Sequence, residues 1–188
     1  MAALRRAFLA VVPPPAVLDA IDGLFDRSAR SKFTWTRREQ WHVTLQYLGK
    51  VADPDALVGT LAGPLARVAA PTVQIGGAGG FPSARRAAVF WLGVVDAAPL
   101  KVVHETVVAA AGDFIRPRDV IPYVPHLTLA RIDSPKRITP EVEALAGSAL
   151  GPAWTVDEVV LFESESHRGG ATYQRIAGFP LGEVEPEA

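Results

Sequence analysis

The feature that most constrains this chain is an internal echo. His42-Val43-Thr44-Leu45 returns as His126-Leu127-Thr128-Leu129, at an offset of 126 − 42 = 84 residues. Both copies lie in strand-like runs. In a strand, successive side chains alternate between faces, so His42 shares a face with Thr44, and His126 with Thr128. The leucines fall on the opposite, core-facing side. Two such strands from two similar lobes would place two imidazoles and two hydroxyls around one cleft.

The rest of the chain supplies elements for such a frame. The apolar run 7–12, followed by three prolines, reads as a buried first strand rather than a signal peptide, whose core is longer. Helical spacing of Val17, Leu18, Ile21, Leu24 and Phe25 follows, then strand-like runs at 33–36 and 40–48. Asp53-Pro54 opens a second helix carrying Leu57, Val58, Leu61, Leu65 and Val68, with Gly63-Pro64 predicting a kink or early stop. Strands are expected at 72–75 and 87–95, separated by a mobile Gly-rich loop, and a third helix at 98–112. A strand at 124–132, a helix at 140–146 and a hairpin near 155–162 and 172–177 complete the reading. The acidic tail from about residue 183 reads as loose. The mixed order predicts an α+β fold with mostly antiparallel sheets, and one bilobal domain over 1–188.

Composition narrows the chemistry. Nineteen Lys and Arg against twenty Asp and Glu give a net charge of −1, so no overall basic field exists to grip long duplex nucleic acid. The absence of cysteine removes disulfides, thiolate zinc sites, iron–sulfur clusters and a thiol nucleophile. No apolar stretch reaches the roughly 18–20 residues of a membrane span. A cytoplasmic protein without membrane contact is expected, its site built from His, carboxylates, hydroxyls or Arg.

Two imidazoles facing one substrate can serve as general acid and general base, because an unperturbed histidine titrates near neutrality, at about 6.5. The hydroxyls of Thr44 and Thr128 can donate to non-bridging phosphate oxygens and stabilise charge gathering there. This set suits in-line displacement at phosphorus without a metal or other cofactor. A zinc site on His42 and His126 is the competing reading, but third and fourth ligands are not evident. Tyr47 and Arg131 each lie five residues after a motif histidine and are candidates for stacking on a nucleobase or, for Arg131, pairing with phosphate. Strict alternation points both away from the histidines, so a bulge or strand end must turn them. Arg85 and Arg86 are candidate backbone contacts. His104, within a helix, reads as structural, and His167 as exposed. Trp35, Trp41, Trp91 and Trp154 read as strand and core residues.

At WHVTLQYLG (41–49) and PHLTLAR (125–131) the chain resembles the two-histidine (2H) phosphoesterase superfamily. Within it, the RNA 2′,3′-cyclic phosphodiesterases, historically called 2′-5′ RNA ligases, are the more specific likeness. GGFPSARR (79–86), VFWLGV (89–94), LFES (161–164) and GGATYQRIAGFPL (169–181) extend the likeness over nearly the whole chain. The resemblance implies two pseudo-symmetric lobes, each an antiparallel sheet lining a central cleft with helices outside. It implies opening of 2′,3′-cyclic phosphate on RNA ends or nucleotides to 2′-phosphomonoesters, with His42 as general acid and His126 as general base. No obligate protein partner is implied. Alternatives are 2′-5′ ligation, cleavage of 2′-5′ oligonucleotides, and an RNA-end binding module without turnover.

Overall fold

The computed structural model describes residues 1–27, 32–116, 122–167 and 170–182. The acidic tail, with Arg168 and Gly169 of the last hairpin, lies outside the described residues. Among the described residues, ten strands and four α-helices follow in the order β1 (Leu4–Val11), α1 (Pro15–Asp22), β2 (Thr34–Trp35), β3 (Val43–Val51), α2 (Pro54–Ala66), β4 (Thr72–Val73), β5 (Ile75–Phe81), β6 (Ala87–Val94), α3 (Ala98–Ala110), β7 (Leu127–Lys136), α4 (Thr139–Ala144), β8 (Trp154–Thr155), β9 (Glu158–His167) and β10 (Gly170–Pro180). Each helix carries proline in its first turn, where the missing N–H costs nothing. The Asp53 carboxylate caps α2, accepting from the Ala56 amide at 3.0 Å. The Leu57, Leu61 and Leu65 stripe on α2 is fully buried, worth roughly 1.5–3 kcal/mol for each leucine.

The main sheet runs β10-β9-β1-β3-β7-β6-β5, with β2 added to β7, and every pairing is antiparallel. It falls into two halves, β10-β9-β1-β3 and β7-β6-β5 with β2. Between them β3 and β7 share one pair, Val43 with Leu127. These two residues are equivalents in the repeat, since 127 − 43 = 84. A local twofold axis requires that an equivalent pair meet itself, so the pseudo-axis passes through this pair. The two motif strands diverge from it, and the cleft opens between them. Helices α2 and α3 pack together, with α3 against β3 and α2 against β10, so helices lie outside the cleft. The fold is α+β, two pseudo-symmetric lobes of antiparallel sheet around a central cleft.

Three local expectations change. The Gly-rich segment is the strand β5, paired along its length with β6, rather than a loop. A Cβ at Gly79 would run into the Trp91 indole, so glycine there lets the ring lie flat on the neighbouring strand. Gly63-Pro64 does not stop α2, which continues to Ala66. Pro64 falls in the last turn, where only its own amide bond is forfeited. The expected strand start near 155 belongs to a separate ribbon, β8 with β4, while the terminal hairpin β9–β10 is longer than expected.

Candidate active site

A cleft of about 770 Å³ lies between the halves and gathers His42, Thr44, His126 and Thr128 together with Tyr47 and Arg131. The two imidazoles are held in the same way. His42 Nδ1 lies 2.7 Å from the Gln40 carbonyl oxygen, and His126 Nδ1 lies 2.7 Å from that of Val124. A carbonyl can only accept, so Nδ1 carries the proton in both, and Nε2 is left as the reactive nitrogen. His42 Nε2 is 3.1 Å from Thr44 Oγ1, which donates to it while the ring is neutral.

Aromatic rings wall both imidazoles. Phe8 and Tyr173 flank His42, with centroids at 4.9 and 5.1 Å. Phe81 and Trp91 flank His126, at 4.9 and 5.9 Å. Removing water from the charged form lowers both pKa values. Burial is the largest cause of the His42 shift down to about 4; the Gln40 hydrogen bond opposes it and the charge on His126 adds to it. His126 is lowered for the same reason, opposed by its bond to Val124. Both rings are therefore neutral at pH 7.

Tyr47 and Arg131 do reach the cleft, against strict alternation. In the β1–β3 ladder Ala10 faces Thr44 while Leu9 faces Gln46, leaving Leu45 as an extra residue. In the β6–β7 ladder Trp91 faces Thr128 while Phe90 faces Ala130, leaving Leu129 extra. The two bulges are repeat equivalents, 129 − 45 = 84. Each buries two successive residues and reverses the parity downstream, so Tyr47 emerges 44% exposed and Arg131 emerges exposed, both lining the cleft. Arg131 lies near enough to the Tyr173 hydroxyl for its charge to oppose the upward shift that burial causes there.

Among the described residues the lining contains the cations Arg37 and Arg131 and no carboxylate, so the cleft favours an anion. Among the described residues, too, no group of three or more His, Cys, Asp or Glu side chains could hold a metal ion. Arg85 and Arg86 are exposed in the β5–β6 turn and do not line the cleft. His167 is exposed at the end of β9, 3.1 Å from Thr172 Oγ1. Trp41 is core, as expected, but lies between a 3-10 turn and β3 rather than in a strand.

The profile described as the 2'-5' RNA ligase superfamily matches residues 13–168. The chain belongs to this superfamily. It is 31% identical to an RNA 2',3'-cyclic phosphodiesterase of Geobacillus stearothermophilus over 79% of this chain and 48% of that protein. The chain therefore spans about half the length of that relative. A second RNA 2',3'-cyclic phosphodiesterase, from Methanothermobacter thermautotrophicus, is 28% identical over 94% of this chain and 98% of that one. Among solved structures, the TT0787 protein of Thermus thermophilus superposes with a TM-score of 0.78 at 26% identity, over 95% of this chain and all of the other.

Sequence reasoning missed several cleft residues of this superfamily member: Phe8, Thr36, Arg37, Gln40 and Tyr173. A usable signal existed for Tyr173 and Phe8. Tyr173 lies within GGATYQRIAGFPL (169–181) and Phe8 within the apolar run 7–12, although the registers that carry them to the cleft are set by distant partners. Thr36 and Arg37 had no comparable signal, because β2 joins the sheet by a non-local pairing with β7.

Proposed function

We propose that this protein hydrolyses 2′,3′-cyclic phosphate ends of RNA to 2′-phosphomonoesters, by acid–base catalysis between His42 and His126 without a metal ion. The observation that carries this reading is the pair of imidazoles at repeat-equivalent positions, each on the residue just before its motif strand, β3 or β7. Each is anchored through Nδ1 and presents Nε2 to one arginine-lined cleft. The names of the two curated relatives point to the same reaction.

In this scheme His126 Nε2 takes a proton from water, whose oxygen bonds to phosphorus. The bond from phosphorus to O3′ breaks, and His42 delivers its proton to that oxygen, leaving phosphate on O2′. Thr44 and Thr128 donate to the non-bridging oxygens as charge accumulates. His42 must be protonated to act, although burial disfavours its charge. The anionic cyclic phosphate supplies the missing compensation, because an adjacent negative charge favours the imidazolium. Tyr47 and Arg131 offer a ring and a planar guanidinium for the terminal base.

The test is incubation of nucleoside 2′,3′-cyclic monophosphates and short cyclic-phosphate RNAs in excess chelator, with the product isomers resolved. Turnover to the 2′-phosphate is expected. A predominant 3′-phosphate would exchange the histidine roles, and activity abolished by chelator and restored by zinc or manganese would sink the metal-free scheme. Binding without turnover would make the protein an RNA-end binding module. Joining to an added 5′-hydroxyl RNA would show the reverse, ligase direction.

A further inference from the structure

The bulges that turn Tyr47 and Arg131 into the cleft are each tied to the opposite motif. The Leu45 carbonyl, at the first bulge, accepts from His104 Nδ1 at 2.9 Å. The same imidazole stacks on Tyr123, centroids 4.1 Å apart and planes within 10°. Tyr123 immediately precedes Val124, whose carbonyl orients His126. His104 on α3 thus joins the strand that carries His42 to the segment that aims His126.

The second half repeats the device with different chemistry. The Leu129 carbonyl, at the second bulge, accepts from the Thr36 amide and lies 2.8 Å from Thr36 Oγ1, with the Thr128 carbonyl at 2.9 Å. That hydroxyl also accepts from Trp41 Nε1 at 3.0 Å. Trp41 is the residue before His42 and is 2% exposed. Thr36 thus joins the strand carrying Thr128 and Arg131 to the segment that places His42.

We propose that His104 and Thr36 are positioning residues, two crossed braces that set the mutual placement of the two catalytic imidazoles. Neither brace needs to touch substrate. Each hydrogen-bonds a carbonyl at a bulge, where the ladder slips by one residue, and each is locked by an aromatic side chain from the other motif's approach. Apart from the Val43–Leu127 pair, the motif strands share no ladder pairing, so contacts made through flanking segments, the His104 and Thr36 braces among them, bear on their register. Misplacement of reacting groups by about 1 Å can cost on the order of 10²-fold in rate.

The inference rests on His42 and His126 being the acid and base, and His42→Ala tests that assignment alone. The brace is tested with His104→Phe, which keeps a ring against Tyr123 but deletes the donor, and with Thr36→Val, which keeps shape but deletes the hydroxyl. His104 does not line the cleft, so its variant separates positioning from substrate contact. Both variants should lower kcat about tenfold, while KM for a cyclic mononucleotide stays within about twofold. Thr36→Ser should restore turnover. Imidazole titrations followed by NMR should show a changed separation between the His42 and His126 midpoints, since the charge on His126 acts on His42. If His104→Phe does not fold, Thr36→Val with the Thr36→Ser rescue carries the same test. Wild-type kcat and unchanged midpoints in folded variants, with His42→Ala inactive, would overturn the braces and leave the histidine assignment standing. Thr36→Ser as poor as Thr36→Val would also overturn them.

Discussion

The proton affinity of His42 offers a test that needs no substrate. In the folded protein its pKa falls to about 4, mainly because Phe8, Tyr173 and the surrounding sheet strip water from the charged ring. Unfolding returns the imidazole to water and to its ordinary value of about 6.5. Between these two values the unfolded chain binds a proton that the folded chain refuses. Stability therefore rises with pH across that window; the contribution is complete above about 6.5 and is lost as pH falls towards 4. Integrating the linkage gives a loss of roughly 2 kcal/mol between pH 7 and pH 5, and roughly 3 kcal/mol by pH 4, where it levels off. His126 is shifted in the same direction and adds to the same trend. Carboxylates titrate in the lower part of this range, so the readout is a difference. Unfolding free energies from urea titrations of wild type and His42→Gln are compared from pH 7 to pH 4. Wild type should lose stability more steeply than the variant by the amounts given. NMR titration of the His42 ring supplies the midpoint directly. Parallel stability curves, or a His42 midpoint at or above 6.5, would refute the desolvation argument.

Other outcomes follow from the same geometry. His42→Ala and His126→Ala should each lower kcat by roughly 10²–10⁴-fold, with the double variant losing less than the product, because in the proposed scheme both groups act in one displacement. Thr44→Val and Thr128→Val should cost less, and steady-state kinetics on folded variants checks both statements. Arg131→Lys should raise KM more than it lowers kcat, since lysine has charge without a planar face; unchanged kinetics would reduce Arg131 to a bystander. Gly79→Ala should destabilise by roughly 1–3 kcal/mol, because its Cβ collides with the Trp91 ring that walls His126, and thermal unfolding together with kcat reads the effect.

How much of this could be read from the sequence depends on whether the information is local. The repeat and the helix starts at Asp53-Pro54 and Ala98 depend on neighbours along the chain, and they appear where expected, whereas the motif strands begin at Val43 and Leu127, one residue after each histidine rather than before it. Alternation then fails at equivalent places in the two motif strands. Nothing within Leu45-Gln46-Tyr47 or Leu129-Ala130-Arg131 marks an extra residue, because a bulge is a property of two strands and the partner is distant in sequence. What the sequence does contain is the conflict itself: two chemically apt side chains at symmetric positions on the wrong face. The Gly-rich segment fails for a related reason. Glycines at 76, 77, 79 and 80 look like a loop until the Trp91 indole is known to cover Gly79 from the next strand.

The same non-local logic bears on the site. Two histidines placed just before separate strands can act as a pair only if the strands keep one spacing, and the shared ladder pair at Val43 and Leu127 fixes them at a single point. Beyond that point β3 and β7 separate and the cleft opens between them, which removes the backbone ladder that would otherwise hold their register. The two carbonyls at the bulges are taken by residues from outside the motifs, the first by the His104 side chain on α3 and the second by both the amide and the hydroxyl of Thr36 beside β2. A fold built by repetition would be expected to brace both halves with the same residue type. Here an imidazole serves one half and a hydroxyl the other, each locked by an aromatic residue just upstream of the opposite histidine. The geometry repeats although the residues do not, which makes carbonyl capture at the bulge the shared requirement.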